Sequence, residues 1–153
     1  MTPVPHTPIT PKLVDSLYVE AMALADEARG YFDREGAADR ARLDPVARIA
    51  FSCESLRITT RLMHIVSWLL VRKAVEAGEM TEAAANAPER RLGRAGDGDD
   101  PARLAFLPER SRDLVERSRD LYERVSRLDA QLGGSDADET GARALLDRLR
   151  SSL

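Results

Sequence analysis

The stretch from Asp44 to Ala77 restricts what this chain can fold into more than any other part of it. Asp44 can cap a helix N-terminus, Pro45 suits a first helical position, and Gly78 is placed to stop the helix. The spacing predicts a helix over 44–77, about 33 residues and roughly 50 Å long. Its apolar residues are Ile49, Phe51, Leu56, Ile58, Leu62, Met63, Ile65, Val66, Leu69 and Leu70. At about 100° per residue they occupy roughly 200° of the circumference. So broad an apolar arc needs cover from more than one neighbour, which puts this helix at the centre of a bundle.

Two flanking segments supply that cover. From Pro11 to about Glu35, residues Leu13, Val14, Leu17, Tyr18, Ala21, Leu24, Ala25, Ala28, Tyr31 and Phe32 share an arc of about 140°. From Pro108 to Leu132, the residues Leu114, Leu121, Val125, Leu128 and Leu132 follow a spacing close to seven, with Val115 and Tyr122 beside them. Acid-before-base pairs Asp113–Arg117, Asp120–Arg124 and Glu123–Arg127 lie on the outer face and add about 0.2–0.5 kcal/mol each. The reading is all-α: an antiparallel three-helix bundle over 11–132 with helices at 11–35, 44–77 and 108–132. The outer helices would be about 35 Å long, so the central helix should overhang them. Overhang and wide arc together suit an isologous dimer.

The remaining segments read as connections. Residues 1–10 form a flexible Pro- and Thr-rich arm, and Thr81 to Ala87 fits a short helical turn. Residues 88–105, with RRLGRAGDGDD at their centre, read as a flexible loop. Gly133-Gly134-Ser135 breaks the third helix, leaving 133–153 as a flexible tail with a short helix at 139–150. Leu145, Leu146 and Leu149 make an apolar patch there that can dock on a partner.

Composition narrows the function classes. Charged residues are 32% and aromatics 5%, which favours amphipathic helices over a sandwich of strands. Net charge is −3, so no global cationic field draws nucleic acid or an anionic membrane. Six arginines and six acids balance between Glu109 and Asp129, which argues against the alternative reading, a nucleic-acid-associated helical regulator. The longest uncharged run within the helical segments, Leu62 to Val71, is half of the roughly 20 residues a membrane span needs. The start of the chain lacks the apolar core of a signal peptide, so a cytoplasmic protein is expected.

The residues that carry chemistry form no catalytic pattern, and no enzyme, metal or cofactor is expected. His6 and His64 follow Pro3 and Arg61 at the spacing where a di-metal bundle needs Glu. Cys53 and His64 share a face but stand about 16 Å apart along the axis. Cys53 reads as a small core residue. Asp97, Asp99 and Asp100 lack the downstream Glu of a calcium loop, because position 108 is proline. One polar stripe remains on the central helix: Glu54, Arg57, Arg61 and Arg72, with Trp68, the only tryptophan, inside it. Trp68 beside arginines fits a partner or dimer interface, with Arg72 stacked on its ring. Equally, a neighbouring helix covers Trp68 and the charges pair within the chain.

Three stretches also resemble a known family. SCESLRITTRLMHIVSWLLVRKAVEAGEM, Ser52 to Met80, is similar to the signature of the bacterial RcdA family, regulators of CtrA degradation. SLYVEAMALADEARGYFDREG, Ser16 to Gly36, and LPERSRDLVERSRDLYERVSRLD, Leu107 to Asp129, resemble its first and third helices in the same order. The resemblance implies a homodimeric three-helix bundle that acts as an adaptor in regulated proteolysis. It implies as partners the ClpXP protease, a CpdR-like response regulator and cell-cycle substrates such as CtrA.

Overall fold

The first two long helices begin where a side chain can satisfy their first amide groups. The computed structural model describes residues 8–94 and 101–152, with the side chains of 101 and 134–143 set aside. Thr10 accepts from the Leu13 amide at 3.1 Å and Pro11 opens α1, Pro11–Asp33. Asp44 accepts from the Ala47 amide at 2.8 Å and Pro45 opens α3, Pro45–Glu76. Gly78, at φ 74°, closes α3 in a left-handed turn. The Gly78 amide bonds Val75 O at 3.1 Å and the Glu79 amide bonds Ala74 O at 2.9 Å. These two bonds form a Schellman motif and satisfy the last carbonyls.

Between them lies a helix the periodicity does not announce, α2, Glu35–Ala41. Seven residues rich in Ala and charge carry little apolar pattern, and α2 is held by its neighbours. The Tyr31 hydroxyl donates to Asp39 at 2.7 Å, and Gly36 sits where a Cβ would meet the Tyr31 carbonyl at 2.9 Å. Burial and the bond to Asp39 push the Tyr31 phenol well above its ordinary pKa. Tyr31, Phe32 and Phe51 pack edge to face with centroids 5.1–6.4 Å apart, which locks this end of α1 onto α3.

After α3 come two short turns, α4 at Glu82–Ala85 and a 3-10 turn at Pro88–Arg90, then α5 at Pro101–Leu104. The loop expected over 88–105 is therefore partly structured, and its residues 95–100 lie outside the described residues, as do residues 1–7 of the N-terminal arm. The final helix, α6, spans Glu109–Ser151. It runs without interruption through Gly133 and Gly134, so the expected tail with a separate short helix is a continuation of the third helix. Two glycines cost a helix roughly 1 kcal/mol each, too little to end one that is anchored by 24 packed residues before them. At about 64 Å, α6 exceeds α3 at about 48 Å. The overhang belongs to α6 and not to the central helix.

The core is one cluster. Val14, Leu17, Ala21, Leu24, Ala28 and Tyr31 of α1 meet Phe51, Ile58, Leu62, Ile65, Trp68 and Leu69 of α3. Leu114, Val115, Leu121, Val125 and Leu128 of α6 close it. Helix directions follow from the polar contacts. Asp15 pairs with Lys73 while Tyr31 packs on Phe51, so α1 and α3 are antiparallel. Glu20, Glu27 and Glu35 pair with Arg124, Arg117 and Arg110, so α1 and α6 are antiparallel too. Helices α3 and α6 accordingly run the same way, with Arg61 bonded to Ser118 and Trp68 to Asp129. Only the length of the connection from Ala77 to Pro108 permits this, because a short turn would have reversed the chain.

Ile65 is fully buried at the centre of this cluster. Ile65→Ala should cost about 2–5 kcal/mol of unfolding free energy in urea titration. Leu149→Ala, on the exposed end of α6, should stay within about 0.5 kcal/mol of the parent.

Candidate interaction surfaces

The polar stripe of α3 turns inward. Glu54, Arg61, Trp68 and Arg72 are all buried, Trp68 to 3% exposure. Only Arg57 reaches the surface, and it holds Glu54 at 2.5 Å. Within the chain, α6 and the α3–α6 connection cover the stripe, which is the covered arrangement and not the exposed one. A buried charge without polar partners destabilises the fold, and each charged group here has at least one. The Arg61 guanidinium donates to Ser118 Oγ at 3.2 Å, and Ser118 donates on to Val115 O at 2.9 Å. Arg72 grips Glu82 with two bonds of 3.0 and 2.7 Å instead of stacking on Trp68.

Asp129 is the busiest acceptor. Its carboxylate takes the Trp68 indole N–H at 3.0 Å and Arg91 Nε at 2.8 Å. Arg91 also bonds Asp129 Oδ2 at 3.1 Å and its backbone oxygen at 2.7 Å. Gly133 makes room for this, since a Cβ there would lie 2.5 Å from the Arg91 guanidinium. Two turns away the Tyr122 hydroxyl donates to Gly93 O at 2.6 Å. Gly93 packs so closely on His64 that a Cβ would come within 2.4 Å of its ring. The connection is therefore strapped across α3 and α6 at Glu82, Arg91 and Gly93. Ser111 and Ser118, buried seven residues apart inside the apolar seam of α6, are the one sequence signal that could have revealed a polar layer there. Arg91, Glu82 and Asp129 carried none, because they meet the stripe only through the tertiary fold.

The surfaces left open are apolar. Ile49, Leu56, Met63 and Leu70 of α3 are 66, 68, 64 and 49% exposed, so half of the broad arc faces outward. Cys53, expected in the core, is exposed on the same side. It lies one turn along from Ile49, on the flank of α3 that neither α1 nor α6 covers. A groove of about 420 Å³ joins Val46, Ile49 and Cys53 to Leu104, Phe106 and Leu107. A second, of about 560 Å³, lies between α1 and α3 beside Leu56 and Met63. Leu145, Leu146 and Leu149 are also exposed, on the part of α6 that projects past the bundle. Three arginines of α6, at 110, 117 and 124, are engaged with carboxylates of α1 and the start of α2. Among the described residues no group of three or more His, Cys, Asp or Glu side chains is arranged to hold a metal. Nor is any described helix long and apolar enough to cross a membrane.

These features define a class: an all-α three-helix bundle whose central helix carries an internal polar layer and an exposed apolar face. Residues 6–153 match a family described as "Protein of unknown function (DUF1465)". The chain is also similar to the crystal structure of RcdA from Caulobacter crescentus CB15, with 38% identity and a TM-score of 0.64. That alignment covers 78% of this chain and 91% of the RcdA chain. A search of curated proteins gave no match. The chain belongs to the RcdA family.

Asp129→Ala should strand the buried Trp68 N–H and release Arg91, costing about 1–3 kcal/mol in denaturant titration followed by Trp68 fluorescence. The Arg72 guanidinium holds the Glu82 carboxyl below its ordinary pKa, against the opposing effect of burial. A lowered folded pKa stabilises above the unfolded value and is lost as pH falls through the folded one. The protection of amides 82–86, after correction for the slower intrinsic exchange in acid, should therefore fall as pH drops through the folded Glu82 pKa, and Glu82→Gln should abolish that step.

Proposed function

We propose that this protein is a non-enzymatic adaptor in regulated proteolysis. In this reading it works in the cytoplasm and helps deliver cell-cycle regulators such as CtrA to the ClpXP protease, with a CpdR-like response regulator as co-factor protein. The reading rests on one observation, the 38% identity to RcdA over 91% of that chain. The surface chemistry supports it. An adaptor needs exposed apolar faces of limited area on a rigid frame, and the outer side of α3 and the tip of α6 offer such faces. The same reading makes the protein a homodimer, and makes Leu145, Leu146 and Leu149 a helix-borne docking patch of the kind a groove receives.

The test is reconstituted degradation. With ClpXP, the response regulator and a CtrA-like substrate from one organism, the purified protein should raise the substrate's degradation rate several-fold. Exchanging Leu145, Leu146 and Leu149 together for Ser should remove the stimulation while the urea midpoint of the bundle holds. Degradation at the same rate with and without the protein would refute the adaptor role.

A further inference from the structure

The groove between α3 and the turn from α5 into α6 is narrow for its length. Val46 and Arg57 bound its α3 wall, so it follows about three turns of that helix for roughly 16 Å. A volume of about 420 Å³ over that length leaves a cross-section of roughly 26 Å². A helix about 10–12 Å across needs roughly 80–110 Å². An extended peptide, at the spacings of strands and stacked sheets, needs roughly 48 Å². An unbranched hydrocarbon chain advances roughly 1.2 Å per bond, and a methylene takes about the volume of a water, roughly 30 Å³. Its cross-section is then about 25 Å². Only the hydrocarbon chain fits.

The walls and charges suit one kind of chain. Ile49, Ala50 and Cys53 line the α3 side, and Leu104, Phe106 and Leu107 line the other. The amides of Phe106 and Leu107 are already bonded to Arg103 O and Leu104 O, so neither donates to a ligand. Four charged residues border the groove, and three are engaged. Asp44 caps α3 through the Ala47 amide at 2.8 Å. Glu54 and Arg57 hold each other at 2.5 Å. Arg103 is exposed, and among the described residues no carboxylate pairs with it. One uncompensated positive charge thus stands beside an apolar channel. A planar guanidinium matches a carboxylate in two parallel bonds, which favours an acid over a cation or a neutral chain.

We propose that this groove binds a straight-chain fatty acid of about twelve carbons, its carboxylate on Arg103 and its chain along Ile49, Ala50 and Cys53. Small-molecule sites commonly have this size and this make-up, apolar walls with a few placed polar groups. Twelve carbons fill the channel, and longer chains protrude from it. The site uses neither a protease nor a client, so it stands apart from the adaptor role.

Cys53, exposed in the groove, reports occupancy. Dodecanoate below its micellar concentration should slow the reaction of the Cys53 thiol with an aromatic disulfide reagent at least about fivefold. Affinity by calorimetry should rise about fourfold per methylene from octanoate to dodecanoate and level off by hexadecanoate. Arg103→Glu should weaken dodecanoate at least about tenfold with an unchanged urea midpoint, and Arg103→Lys should keep most of the affinity. Dodecyltrimethylammonium at the same concentration should leave the thiol rate unchanged. Equal protection by that cation, or affinity that climbs on to hexadecanoate, would mean a general apolar surface and overturn the site. Thiol reactivity that falls on raising the protein concentration alone would put a second copy in the groove and overturn it too. So would a thiol rate that dodecanoate does not change.

Discussion

Helix α3 has more apolar circumference than two neighbours can cover, and the rest of the structure follows from that excess. Its inner half, through Phe51, Ile58, Leu62, Ile65 and Leu69, is closed by α1 and α6. Each buried side chain of this size contributes roughly 1.5–3 kcal/mol, so the two flanking helices are held chiefly by this face. The ion pairs from Glu20, Glu27 and Glu35 to α6 are largely exposed and set alignment more than they add stability. The outer half stays apolar and uncharged without cover from its own chain. A lone apolar residue on a surface needs no explanation, but a row of them along one helix does.

The second constraint is the parallel course of α3 and α6. It forces the chain to travel back along the whole bundle, and a long connection would ordinarily be loose. Here it is fastened at three points by Arg72, Asp129 and Tyr122. The polar layer of α3 thus has a structural task. It gives Arg61 and Arg72 hydrogen-bond partners and at the same time fixes the crossing segment, with Trp68 and Arg91 sharing a single carboxylate.

How much of this was legible depended on whether the responsible interaction is local. The caps at Asp44 and Gly78, the apolar periodicity of α1 and the width of the α3 arc are properties of neighbouring residues, and they mark the ends of α3 and the buried face of α1. Misreadings occurred where distant residues decide. Gly133-Gly134 has the look of a helix stop, yet Gly133 is the seat on which Arg91 lies. Trp68 among arginines has the look of an exposed anchor, yet its partner is Asp129, 61 residues away. Cys53 was assigned to the core because free cysteine is usually buried, whereas its turn of α3 faces outward. Chain direction was equally hidden, since periodicity does not reveal whether a long connection reverses or returns. Reading Gly133-Gly134 as a stop shortens the third helix, which is why the sequence reading gives the overhang to the central helix instead of α6.

The projecting end of α6 has a further mechanical meaning. Arg61 and Ser118 set the two helices level, so some 18 residues of α6, about 27 Å, continue past the last turn of α3. The exposed Leu145, Leu146 and Leu149 therefore stand clear of the polar layer and of the α1–α3 packing, and a change at that end leaves the core undisturbed.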